Sequence, residues 1–62
     1  MKYLVRLWNT QGASFEERFD TKQECQEYLN SFQDQKNLTG EVIDNETGIV
    51  VAEKKRTRFE WR

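Results

Sequence analysis

A single capped amphipathic helix is the feature that most limits how this chain can fold. Thr21-x-x-Glu24 has the form of a capping box, in which the two side chains satisfy free backbone N–H groups at the start of a helix. The apolar residues that follow have the spacing of one helical face and are Cys25, Tyr28, Leu29 and Phe32. The pattern predicts a helix from Lys22 to Gln35 whose apolar face must be covered by the flanking segments.

Two turns of the form Asn-x-x-Gly predict a β-hairpin on each side of that helix. They run from Asn9 to Gly12 and from Asn45 to Gly48. Asn favours the first turn position, and Gly accepts the left-handed backbone that closes a three-residue loop. The first loop sets a register with Leu7 opposite Phe15, Val5 opposite Glu17, Tyr3 opposite Phe19 and Arg6 opposite Glu16. The second sets a register with Ile43 opposite Val51, Val42 opposite Ala52 and Glu41 opposite Glu53.

The facing carboxylates of Glu41 and Glu53 are a misfit in this register, because like charges directly opposite each other destabilise a strand pair. Either regular pairing ends at this point, or a basic side chain such as Lys55 compensates.

These elements predict an α+β fold of order ββαββ, a four-stranded, mainly antiparallel sheet with one helix packed on one face. Residues 1–62 form one small domain, and the order of the strands in the sheet stays open. The expected core under the helix is Tyr3, Val5, Leu7, Phe15, Phe19, Ile43, Ile49 and Val51.

The length of the chain predicts a thin core. A domain of about 60 residues buries only about 60% of the surface of its unfolded chain, and the single cysteine excludes an internal disulfide. Self-association, as in a homodimer, or a protein partner is therefore expected to add stability. No membrane-spanning run and no export signal are evident, so we expect a cytoplasmic protein with no membrane partner.

The sheet face away from the helix is expected to be basic, because seven basic and four acidic residues fall on it if the last strand runs unbroken. The basic residues are Lys2, Arg6, Arg18, Lys54, Arg56, Arg58 and Arg62, and the acidic ones are Glu16, Asp20, Asp44 and Glu60. Trp8 shares this face. An exposed aromatic ring among cations is a platform on which nucleic-acid bases stack, although a lone Trp more often closes a corner or a dimer seam.

The C-terminal segment, residues 57–62, alternates apolar and charged residues as a strand does. Phe59 and Trp61 either fold back over the open end of the core or form an exposed docking tail that adds to the sheet edge of another chain.

Catalysis has little support in the sequence. No histidine is present to activate Cys25, whose place on the apolar helix face is typical of a buried side chain. We expect no enzyme activity, no cofactor, no metal and no small-molecule substrate. The favoured function is a small non-catalytic module that binds itself or a protein partner, and the alternative is a nucleic-acid-binding accessory protein. The candidate partner-binding residues are Arg6, Trp8, Lys54, Arg56, Arg58, Phe59 and Trp61.

Overall fold

The computed structural model describes residues 2–32 and 34–62 and contains one helix and five strands in that part of the chain. The elements are β1 (Tyr3–Asn9), β2 (Ser14–Phe19), α1 (Lys22–Asn30), β3 (Leu38–Asp44), β4 (Val50–Lys55) and β5 (Arg58–Trp61). All strands lie in one antiparallel sheet with the order β2-β1-β3-β4-β5. The α+β class and the ββαββ order are confirmed, and the C-terminal segment adds a fifth strand to the four that were predicted.

The first hairpin forms as its turn residues predict. Gly12 has a left-handed φ of 92° and donates its N–H to the carbonyl of Asn9 at 3.2 Å. The Asn9 side chain accepts from the N–H groups of Gln11 and Ala13 at 2.9 and 3.0 Å, which fixes the loop. The predicted register follows, with Leu7 opposite Phe15, Val5 opposite Glu17 and Tyr3 opposite Phe19.

The helix begins where the capping residues predict and ends earlier. Thr21 Oγ1 accepts from the N–H of Glu24 at 3.2 Å, and the Thr21 hydroxyl donates to the Glu24 carboxylate at 3.1 Å. After Asn30 the N–H groups of Ser31 and Phe32 bond to carbonyls three residues back, at 3.3 and 3.0 Å. This tightened turn replaces the predicted continuation to Gln35, since Asn and Ser are poor residues for a helix interior.

The second hairpin differs from the prediction by one residue. Asp44, not Asn45, closes the loop: its carbonyl accepts from Gly48 N–H at 2.7 Å, and its N–H donates to the carbonyl of Ile49 at 2.9 Å. Because this loop differs from the predicted one, Ile43 pairs with Val50 rather than with Val51. A β-bulge then restores the predicted pairs, Val42 with Ala52 and Glu41 with Glu53.

The chain reverses once more after β4. A two-residue loop, Arg56 and Thr57, joins β4 to β5, and Arg56 takes the left-handed φ of 59° that this reversal requires. Residues 58–61 therefore fold back as a strand, with Phe59 opposite Lys54 and Trp61 opposite Ala52.

The core lies between α1 and the central strands. Its buried residues are Val5, Leu7, Cys25, Leu29, Leu38, Val42 and Ala52, and the side chains packed partly against them are Tyr3, Phe19, Tyr28, Phe32, Val51, Phe59 and Trp61. The prediction was wrong for Phe15 and Ile49, which are 52% and 59% exposed. β3 contributes Val42 instead of Ile43, because its pairing with β1 places Val42 beside Val5.

Candidate protein-interaction surfaces

Lys54 was predicted on the open face of the sheet, the face away from α1, and this is wrong. It lies opposite Phe59 on the helix side, where its ammonium group donates to the carbonyl of Gln35 at 2.7 Å and to the carbonyl of Arg56. Lys54 therefore ties the segment after the helix to the β4–β5 loop. The cause is the pairing of β3 with β1, which places the even-numbered residues of β3 and the end of β4 on the helix side.

The same pairing of β3 with β1 brings two further acidic residues, Glu41 and Glu53, onto the open face. A row of five residues crosses the sheet there, as the four strand registers show: Glu16, Arg6, Glu41, Glu53 and Glu60. The open face thus carries interleaved charges instead of the predicted excess of bases.

Arginines are paired with the acids of this row. Arg6 lies between Glu16 and Glu41, at 3.7 Å from each, while Arg58 is 3.0 Å from Glu60. Arg62 forms an ion pair with Glu53. The misfit of Glu41 opposite Glu53 is therefore compensated by Arg6 and Arg62, in place of the suggested Lys55.

The predicted partner-binding aromatics lie on two different faces. Trp8 is on the open face and 38% exposed, whereas Phe59 and Trp61 face the helix. Trp61 meets the Tyr3 ring edge-on at 6.3 Å between centroids, and the Lys22 ammonium lies 4.8 Å from the Trp61 ring. A shallow groove of about 240 Å³ lies between α1 and the side chains of Phe59 and Trp61.

The sequence does not indicate which strands form the edges of the sheet, and in the structure β2 is the longer of the two edge strands. It has six residues, of which Ser14 to Arg18 are all exposed, while the opposite edge strand β5 has four. Phe15 projects to the helix side at the rim of a cleft of about 300 Å³ that Phe32 and Leu38 also line. No local signal marks this edge, because it depends on the long-range pairing of β1 with β3.

The backbone of β2 presents unpaired groups at alternate residues. The N–H of Asn9 donates to the carbonyl of Ala13 at 3.0 Å, and antiparallel ladders repeat such hydrogen-bonded pairs every second residue. The backbone groups of Phe15 and Glu17 therefore bond to β1. The N–H and C=O groups of Ser14, Glu16 and Arg18 lie in the plane of the sheet and point away from β1, toward the open edge. They are positioned to pair with an added strand.

Cys25 is fully buried and unpaired in the core. Burial, with a smaller contribution from Glu24, raises the pKa of its thiol to about 11. Burial, with the charge of Glu17, also raises the pKa of Tyr28. The described residues contain no group of three or more acidic or cysteine side chains placed to hold a metal ion.

No family model matches this chain, and neither a curated protein nor a solved structure matches it. Within the part of the chain that the structure describes, no helix has the length and apolar character to span a bilayer.

Proposed function

We propose that this protein is a small non-catalytic interaction module that binds another polypeptide by strand addition at β2. The observation that carries the proposal is a six-residue edge strand whose outward backbone groups stand beside the exposed Phe15. In this mode of recognition, main-chain hydrogen bonds supply affinity and alternate side chains supply specificity.

The side chains of β2 favour a selective partner over indiscriminate pairing. Glu16, Glu17 and Arg18 place charges along the edge, a device by which edge strands resist non-specific association. An incoming strand must offer complementary charges on the open face and an apolar residue against Phe15 on the helix side.

Nucleic-acid binding through the open face is less well supported. Trp8 is exposed there beside Arg6, but Arg6, Arg58 and Arg62 each contact a carboxylate, so phosphate groups would compete with acidic neighbours for them. A salt-dependent interaction with single-stranded oligonucleotides would be the sign of that function.

Selection of binding peptides can test strand addition. Hexapeptides selected from a random library should shift the amide NMR signals of Ser14 to Phe19 when they are added to the labelled protein. Glu16→Pro should abolish their binding, since proline removes an N–H that points outward and leaves the ladder to β1 intact.

Glu16→Thr is the matched control, because it removes the same charge and keeps the N–H. Equal binding by the Pro and Thr variants would refute strand addition. Shifts confined to Trp8 and Arg6 on addition of oligonucleotides, lost at higher salt, would support the nucleic-acid function instead.

A further inference from the structure

The sequence of the β2 edge is complementary to itself in one antiparallel register. We propose that the strand added to β2 is the β2 strand of a second copy of this chain, with the two-fold axis at Glu17. This inference rests on the proposed function and names its partner.

Hydrogen bonding restricts the registers that two β2 strands can adopt. Residues with outward backbone groups must face one another, so Ser14, Glu16 and Arg18 of one copy pair with even-numbered residues of the other. An axis at Glu16 would set Glu16 opposite its own copy, and an axis at Arg18 would do the same for Arg18. Both place like charges directly opposite in a hydrogen-bonded pair, and neither forms an opposite-charge pair that would compensate.

An axis at Glu17 gives favourable pairs on both faces. On the open face, Glu16 lies opposite Arg18 of the second copy, and the symmetry produces this ion pair twice. On the helix side, Phe15 lies opposite Phe19 of the second copy, also twice. Opposite charges and aromatic pairs are the cross-strand combinations that stabilise antiparallel sheets.

The aromatic pairs would cover the exposed ring of Phe15. Phe19 already contacts Tyr28 at 5.1 Å between ring centroids, and Tyr28 contacts Phe32 at 5.0 Å. Pairing with the second copy would therefore extend this aromatic cluster across the dimer and bury a ring that is 52% exposed in the single chain.

Glu17 limits the strength of this dimer. The two copies of Glu17 would face each other at a non-hydrogen-bonded position, where strands approach most closely. The expected complex is a weak dimer that uses both β2 edges, and its two-fold symmetry excludes further growth through β2.

Charge reversal tests the register by sedimentation equilibrium. Glu16→Arg and Arg18→Glu, each alone, should weaken self-association by about tenfold or more, because both ion pairs become like-charge pairs. An equimolar mixture of the two variants should associate at least as well as wild type, since an arginine of one variant then faces a glutamate of the other in both cross-strand pairs.

Glu17→Thr should strengthen the dimer by about two- to fivefold, because it removes the like-charge pair at the axis. If wild-type association is too weak for accurate measurement, the charge reversals are made in this background. Thermal unfolding of each variant separates lost association from lost folding.

Failure of the mixture to associate, with both variants folded, would overturn this register. A monomer at about 1 mM in the Glu17→Thr background would overturn self-association altogether. The proposed function has a separate outcome: selected peptides that still bind β2 in a Glu16→Pro-sensitive manner would leave strand addition standing with a foreign partner.

Discussion

Substitution of Gly40 tests how closely β3, β1 and β5 approach in the core. A Cβ atom at Gly40 would collide with Cδ2 of Leu7, and it would lie 3.0 Å from Cζ of Phe59 and 3.2 Å from the carbonyl oxygen of Arg6. Leu7 is only 1% exposed, so its side chain has little space into which it can retreat. We therefore expect Gly40→Ala to be destabilising.

Two opposing contributions set the size of this effect. Overpacking a well-filled core costs about 1–3 kcal/mol. Replacing Gly by Ala within a strand returns about 0.5–1 kcal/mol, because the unfolded chain loses flexibility. The net loss should be about 1 kcal/mol, which lowers the Tm of a domain of this size by about 4–8 °C.

Urea denaturation followed by circular dichroism measures this loss, and a double-mutant cycle identifies its cause. Leu7→Val removes the colliding Cδ2 atom and should itself cost about 1 kcal/mol. In the double variant the two losses should be less than additive, because the shortened side chain makes room for the new methyl group. A Gly40→Ala variant as stable as wild type, or strict additivity, would refute the close approach of Leu7 to β3.

The helix cap, the turn between β4 and β5, and the buried thiol each allow one further test. Thr21→Ala should destabilise the fold by about 1 kcal/mol through loss of the helix cap, with Thr21→Ser close to wild type in the same urea titration. Arg56→Gly should stabilise the fold by about 0.5–1 kcal/mol, because glycine adopts the left-handed φ without strain; a lower Tm for this variant would contradict the turn geometry. The raised pKa of Cys25 means that the folded state favours the protonated thiol. The resulting contribution of Cys25 to the free energy of unfolding is fully present below the ordinary pKa of 9.0 and is lost as the pH rises through about 11. Stability measured from pH 8 to 11 should therefore fall more steeply in wild type than in Cys25→Ala, whereas equal slopes would exclude this linkage.

The parts of the fold that the sequence predicts correctly are those that short-range chemistry determines. Asn9 and Gly12 fix the first loop within four residues, and the register of β1 with β2 follows from that loop. Thr21 and Glu24 fix the start of the helix in the same way. Each of these signals is complete within one turn of backbone and needs no information from the rest of the chain.

The second half of the sheet could not be predicted in detail because single-residue changes in its loops and one long-range strand pairing determine it. Asp44 in place of Asn45 closes the second loop, and a bulge beside Val42 restores the register. Arg56 then adopts a left-handed conformation, which the sequence does not indicate because no glycine stands at this position. The pairing of β3 with β1 places Val42 beside Val5 and so turns the even-numbered residues of β3 and the end of β4 to the helix side. The predicted basic surface therefore changed its composition, and Lys54 moved to the helix side.

The two edge strands of the sheet are expected to have different roles, β5 in the stability of the fold and β2 in association. β5 brings Phe59 and Trp61 against the core, so changes there should lower stability first, although the sequence pointed to these aromatics as partner-binding residues. The exposed residues of β2 contribute less to the core, so changes there should affect association first. If substitution of Phe59 weakened self-association without destabilising the monomer, while substitution of Phe15 left association unchanged, the roles of the two edges would be reversed. The pair Phe15→Ser and Phe59→Ser, each measured by both thermal unfolding and sedimentation, therefore distinguishes a β2 interface from a C-terminal docking strand.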